Sequence, residues 1–235
     1  MDNRFITRLF DWETGVSRSA TLANRALRAL GRRAWLRAPG STGYMTNIEV
    51  RQNLYHLVSQ VLAYDVPGDL IELGTFVGYT GVLIGKVLQA EGDGTRTLHL
   101  YDTFTPLWNE PDPRAACERN FRDHGLPLPS MHAGLFHDTL PTQLPAKVSF
   151  VHVDCGWGTD ADEHGRVIRD AMAEVYPRLS RGAICSLIDY GSREDLPENQ
   201  NPGVKPAIDA FLADKPEEIS VLYAAEYGHA YFRKL

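Results

Sequence analysis

Cysteine is scarce in this chain. Cys117, Cys155 and Cys185 are widely spaced and odd in number, which excludes a disulfide framework and the paired spacing of a zinc knuckle. No apolar run approaches the roughly 18 residues of a membrane span. Met1-Asp2-Asn3-Arg4 opens no hydrophobic signal core. The expectation is a cytoplasmic chain with no membrane partner. Excess positive charge is missing too: the net charge is −6, which argues against a nucleic-acid partner. There is no internal repeat and no low-complexity tract. A dinucleotide fingerprint G-x-G-x-x-G is also absent, because Thr75 and Phe76 follow Gly74 and leave a pyrophosphate no second glycine to approach.

What is present is ordinary bulk and one informative stretch. With 235 residues, 43% hydrophobic and 23% charged, the chain suits one sizeable α/β domain with decorations. Residues 69–80 read Asp-Leu-Ile-Glu-Leu-Gly-Thr-Phe-Val-Gly-Tyr-Thr. Leu70 to Leu73 is an apolar strand broken by Glu72, Gly74 and Gly78 frame a turn, and Thr80 begins a helix. Strand, glycine turn and helix N-terminus is how α/β folds hold a nucleotide-like cofactor. The spacing E-x-G-x-x-x-G suits a cofactor without phosphates and with a cationic amino-acid tail, namely S-adenosylmethionine (SAM). A turn that merely packs a helix on a sheet is the competing reading. Strand 97–101 then leads into Asp102-Thr103-Phe104. A carboxylate there accepts hydrogen bonds from ribose hydroxyls, or else caps a helix.

Strands are expected near 70–73, 97–101, 130–133, 148–153, 183–189, 219–224 and 229–234, and helices near 47–63, 79–91, 113–124, 164–179 and 203–214. This alternation predicts a mostly parallel sheet covered on both faces. Ala225-Glu226-Tyr227-Gly228 is too short for a parallel crossover, so the last strand is expected antiparallel. The fold class is α/β, a Rossmann-like class I methyltransferase arrangement of seven strands with an N-terminal helical lid. Two regions are expected: a lid or dimerisation segment over 1–46 and the catalytic domain over 47–235. The segment 1–38 carries eight arginines against Asp2, Asp11 and Glu13, on helices near 3–10 and 19–36. A solvated or interface face and a membrane-surface helix are the two readings; a homodimer or higher homo-oligomer is expected from it.

Four blocks resemble the macrocin O-methyltransferase family, which methylates sugars on antibiotics and related natural products. They are Val66-Pro67-Gly68-Asp69-Leu70-Ile71-Glu72-Leu73-Gly74; Leu100-Tyr101-Asp102-Thr103-Phe104; Gly134-Leu135-Phe136-His137-Asp138-Thr139-Leu140-Pro141; and Tyr176-Pro177-Arg178-Leu179-Ser180-Arg181-Gly182-Ala183, continuing to Ile188-Asp189-Tyr190-Gly191. The glycine turn is also similar to that of catechol O-methyltransferases. The resemblance implies a small-molecule hydroxyl as acceptor and SAM as donor. It assigns cofactor contacts to Met45, Thr46, Glu72, Gly74, Phe76, Gly78, Thr80, Asp102, Thr103, Gly134 and Phe136.

The acceptor side departs from the family pattern. The family has Asp-Gly-Asp after strand four and Asp-Asp-Tyr after strand five, which together hold Mg²⁺. Here Asp154 and Asp189 remain, while Gly156 and Ile188 replace two carboxylates. Asp154 and Asp189 are the catalytic and metal candidates, with two hard oxygen ligands for Mg²⁺. Asp160, Asp162, Glu163 and His164 either rebuild a metal or base function or start a helix. His164 is the expected general base, with His137 and His152 competing, and the position of His152 within a strand reads as structural. Loss of the metal carboxylates also admits a cyclase or isomerase that binds SAM without consuming it, or a non-catalytic binding protein.

Overall fold

Val50, Leu54, Leu57, Val58 and Val61 recur at helical spacing, and all are buried on α1 (Ile48–Ala63). Asn47 caps that helix, its side chain accepting from the Val50 N–H at 2.9 Å. This is a computed structural model, and it describes residues 22–23, 25–26, 29–30, 46–107, 110–156, 160–191, 201–224 and 228–235. The chain divides into two units, Met1–Met45 and Thr46–Leu235. In the first, residues 22–23, 25–26 and 29 are helical, inside the helix expected over 19–36; the helix expected over 3–10 and Met45 lie outside the described residues.

The second unit alternates strands and helices. In order they are β1 (Asp69–Leu73), α2 (Tyr79–Ala90), β2 (Leu98–Asp102), α3 (Pro113–Asp123), β3 (Ser130–Ala133), α4 (Phe136–Gln143), β4 (Val148–Val153), α5 (Ala161–Val175), β5 (Leu179–Ile188), α6 (Val204–Leu212), β6 (Ser220–Leu222) and β7 (His229–Arg233). They form one seven-stranded sheet in the order β3-β2-β1-β4-β5-β7-β6. The first five strands run parallel, and β7 lies antiparallel to both β5 and β6. All six residues of β4 are buried, as expected of a central strand covered on both faces.

Two elements differ from expectation. Helix α4 carries Pro141 inside only eight residues, and so leaves no apolar period to read. Helix α5 stops at Val175, because Pro177 has no N–H to continue it; a 3₁₀ turn over Tyr176–Arg178 follows, and β5 starts at Leu179 rather than at 183.

Strand order reverses direction between β1 and β4. The carboxyl ends of the strands at such a switch point are the place where open α/β sheets bind ligands. Gly74 stands there, with φ +85° and an ideal Cβ that would lie 2.2 Å from the Asp154 carbonyl oxygen. Backbone meets backbone at this point, so only glycine fits. Gly74→Ala is expected to destabilise the fold by about 2–4 kcal/mol, read as a lowered midpoint in urea denaturation; an unchanged midpoint would refute this close approach.

Candidate active site

The glycine turn is held by one carboxylate. Asp102, at the end of β2, accepts from the Thr75 and Phe76 backbone N–H groups through Oδ2, both at 2.7 Å. Its Oδ1 accepts from the Phe104 N–H at 2.7 Å. Phe76 and Phe104 have φ of 50° and 51°, a strained region for a bulky side chain. Charge-assisted bonds to Asp102 hold both. Thr103 is drawn in as well, its hydroxyl 3.4 Å from Oδ1. Gly78 begins α2 with φ +79°, and a Cβ there would strike Cys117 Sγ at 2.4 Å. The turn therefore packs a helix on the sheet, with its backbone held by Asp102.

Below the turn, Glu72 is fully buried. Its Oε2 accepts from the Thr75 hydroxyl at 3.1 Å, and its Oε1 has no partner. Burial pushes its carboxyl pKa well up, and the charges of Asp154 and Asp102 push it further. Asp189, at the end of β5, is raised to about 6 by burial and then by Asp154, partly offset by the Asn201 amide, which donates to its Oδ2 at 2.7 Å. Asp189 also has a positive φ, 58°. Four carboxyls thus stand on four neighbouring strands, β2, β1, β4 and β5: Asp154 and Asp102 act on Glu72, and Asp154 on Asp189. A cationic group fits such a cluster, and the unpartnered Oε1 of Glu72 offers it an acceptor.

Other expected residues are more dispersed. Thr80 is half-buried in the first turn of α2. Gly134 and Phe136 follow β3, with Phe136 half-buried at the start of α4. Thr46 stands at the entrance to α1, where Arg51 donates to its carbonyl at 2.7 Å. His137 is exposed on α4 beside Asp138.

The expected base, His164, needs correction. His164 is fully buried, and its Nε2 lies 2.7 Å from the Cys155 carbonyl. A carbonyl only accepts, so Nε2 carries the proton; Nδ1 is buried without a partner. Nε2 is engaged and Nδ1 is buried, so neither nitrogen is open to a substrate proton as a general base must be. His164 instead ties the first turn of α5 to the loop after β4. Asp160 caps α5 by accepting from the Asp162 and Glu163 N–H groups, both at 3.0 Å, while Asp162 and Glu163 are exposed. The helix-start reading of this loop is the one realised. Among the described residues no three His, Cys, Asp or Glu side chains are grouped to hold a metal. Where the family's second carboxylate would project from position 156, a Cβ on Gly156 would meet the Asn201 carboxamide at 3.2 Å. Asp154 and Asp189 are left as the two carboxylate donors of this part of the edge.

Residues 2–202 match the model of the macrocin-O-methyltransferase family, TylF. The chain belongs to that family. Among curated relatives, the 8-demethyl-8-(2,3-dimethoxy-alpha-L-rhamnosyl)-tetracenomycin-C 4'-O-methyltransferase of Streptomyces olivaceus is 29% identical over 185 residues, 69% of this chain and 67% of that protein. Mycinamicin III 3''-O-methyltransferase of Micromonospora griseorubida is 28% identical over 170 residues, 62% of this chain and 64% of that protein. This macrocin O-methyltransferase family member thus aligns with about two thirds of each relative's length. The O-methyltransferase NovP has the same fold, with a TM-score of 0.67 at 20% identity over 98% of this chain and 99% of that one. TomG from Streptomyces achromogenes, solved with SAM, is similar at a TM-score of 0.59 and 15% identity over 93% and 91% of the two chains. The fold is that of SAM-binding class I methyltransferases. The relatives are named for methyl transfer to oxygen, and none for a cyclisation or isomerisation.

The raised Asp189 pKa has a stability cost with a definite sign. The folded state binds this proton more tightly than the unfolded chain, so the destabilisation is absent near pH 4 and fully present above about pH 6. A shift of about two units corresponds to about 2–3 kcal/mol. Asp189→Asn, which tolerates the positive φ, is expected to raise the melting temperature at pH 8 and to leave it unchanged near pH 4. An equal gain at both pH values would show that the buried charge is not the cause.

Proposed function

We propose that this family member is a SAM-dependent O-methyltransferase that methylates a sugar hydroxyl on a glycosylated natural product. The single observation that carries the reading is the row of four carboxyls, Glu72, Asp102, Asp154 and Asp189, on adjacent strand ends beside the glycine turn. SAM, when bound, supplies an activated methyl group and two positive charges. Glu72 and the turn from Gly74 to Gly78 receive the cationic amino-acid end, with Thr80 at the helix start for its carboxylate. Asp102 holds the turn and faces the ribose, with Phe76, Gly134 and Phe136 around the base. The half of the edge formed by β4 and β5 is left for the acceptor. Asp154 lies beside Asp189 there; with a carboxyl raised to about 6, Asp189 is suited to take the acceptor's hydroxyl proton near neutral pH. The remaining work is positioning. The same proposal includes a cytoplasmic location and self-association through the Arg-rich segment 1–38; a monomer mass in light scattering would count against the latter.

Three results test it. Methyl-labelled SAM should add one methyl to a sugar hydroxyl of a rhamnosylated aromatic polyketide or macrolide, read by mass spectrometry, and turnover should survive EDTA. Full loss in EDTA with recovery in Mg²⁺ would overturn the metal-free reading. The rate should fall as pH drops below about 6, where Asp189 takes up its proton; a flat profile from pH 5 to 8 would remove Asp189 as the base.

Asp102→Ala removes charge-assisted bonds worth about 1.5–3 kcal/mol, so SAM affinity should fall about 10–150-fold in calorimetry. Unchanged affinity would reject Asp102 as part of the cofactor site.

A further inference from the structure

A row of buried polar side chains crosses the sheet beneath the acceptor half of the edge. His152 on β4, Ser186 on β5 and His229 on β7 are all fully buried. Their contacts are His152 Nδ1 to Ser186 Oγ at 3.2 Å, Ser186 Oγ to His229 Nε2 at 2.9 Å, and His229 Nδ1 to Asn53 Nδ2 at 3.3 Å. Asn53, half-buried on α1, also donates through Nδ2 to the Tyr223 carbonyl at 2.9 Å.

The far end sets the direction of every proton in the row. The Tyr223 carbonyl only accepts, so the nitrogen of the Asn53 amide must face it. That nitrogen is a donor, so His229 Nδ1 accepts and the His229 proton sits on Nε2. Burial supports a neutral ring, holding the His229 pKa down at about 3. His229 Nε2–H therefore donates to Ser186 Oγ, and the Ser186 hydroxyl donates to His152 Nδ1. With Nδ1 accepting, the His152 ring proton is left on Nε2. This nitrogen is buried without a partner, and it lies 3.8 Å from Asp154 Oδ2, two residues along the same strand and face. The opposite direction would set His229 Nδ1–H against the Asn53 amide N–H, and turning the amide over would set two oxygens together.

We infer that His152 is a positioning residue: the row from Asn53 fixes its tautomer so that Nε2–H is aimed at Asp154, orienting that carboxylate and leaving its other oxygen for the acceptor hydroxyl. The present 3.8 Å is too long for a hydrogen bond, and a small rotation of the half-exposed Asp154 side chain closes it. The inference rests on the reading of Asp154 as a group facing the acceptor. It adds a device that no carboxylate of the site supplies, a donor of fixed direction. It also gives a reason for two histidines and a serine to be buried where apolar residues would pack at lower cost.

Long-range ¹⁵N–¹H NMR of the full chain reads the tautomers without any variant. Both His152 and His229 are expected as Nε2–H, and an Nδ1–H tautomer at His152 would overturn the proposal. Two substitutions then separate positioning from packing. Gln at 152 retains a donor near the Nε2 position, whereas Met fills similar volume without one. His152→Met is expected to lower kcat about 10-fold or more, with KM for SAM unchanged, and to shift the Asp154 carboxyl ¹³C resonance; His152→Gln should recover most of both. If the residue only fills the core, Met will equal or exceed Gln in turnover, the Asp154 resonance will not distinguish them, and the proposal fails. A wild type that shows the Nε2–H tautomer and the Asp154 response yet methylates no glycoside would defeat the methyltransferase reading and leave the orientation of Asp154 standing.

Discussion

Asp102 closes the cofactor half of the site. A single carboxylate at the end of β2 collects three backbone N–H groups, two from the turn after β1 and one from its own loop. Without those bonds the turn has little reason to keep Phe76 and Phe104 at positive φ, a conformation that costs of order 1–3 kcal/mol for each residue. The rest follows from the clasp. With the turn held down, Gly78 can start α2 against Cys117, Thr75 can donate to Glu72, and Gly74 can lie against the Asp154 carbonyl. In the proposed function the same carboxylate also faces the ribose, and one side chain then links the local fold to donor binding.

Electrostatics divide the carboxyl edge in two. Toward β1 and β2, Glu72 is buried with one oxygen unpartnered, an arrangement costly alone and relieved by a cation. Toward β4 and β5, Asp154 and Asp189 repel each other, and no cationic cluster or metal-sized group of ligands stands between them among the described residues. Asn201 fills the space beside Gly156 and donates to Asp189. A neutral amide thus stands where a charged ligand set would need a third carboxylate.

The fold could be read from the chain because its strands are short, apolar and evenly spaced by amphipathic helices. The reversed last strand followed from a connection too short to cross over. Helix α4 was missed since Pro141 and eight residues erase any period, and the end of α5 was misplaced by ignoring the missing N–H of Pro177. Spacing singles out the glycine turn and Asp102 as cofactor candidates, although the backbone bonds that Asp102 makes leave no mark in sequence. His164 misled because a histidine beside three acids looks reactive, whereas burial against the Cys155 carbonyl is decided by how α5 docks. The row through His152, Ser186 and His229 joins residues as far as 77 positions apart, and only the sheet brings them side by side.

The clasp at Asp102 draws its donors from the turn after β1 and the loop after β2, and from nothing on the β4 and β5 side. Gly156 and Asn201, which meet on the β4 and β5 side, lie in other loops. Substitutions there can accumulate without loosening the seat of the methyl donor. A lineage built this way can exchange one acceptor for another while the donor chemistry is inherited unchanged, and the lost carboxylates at 156 and 188 are what such drift would leave behind.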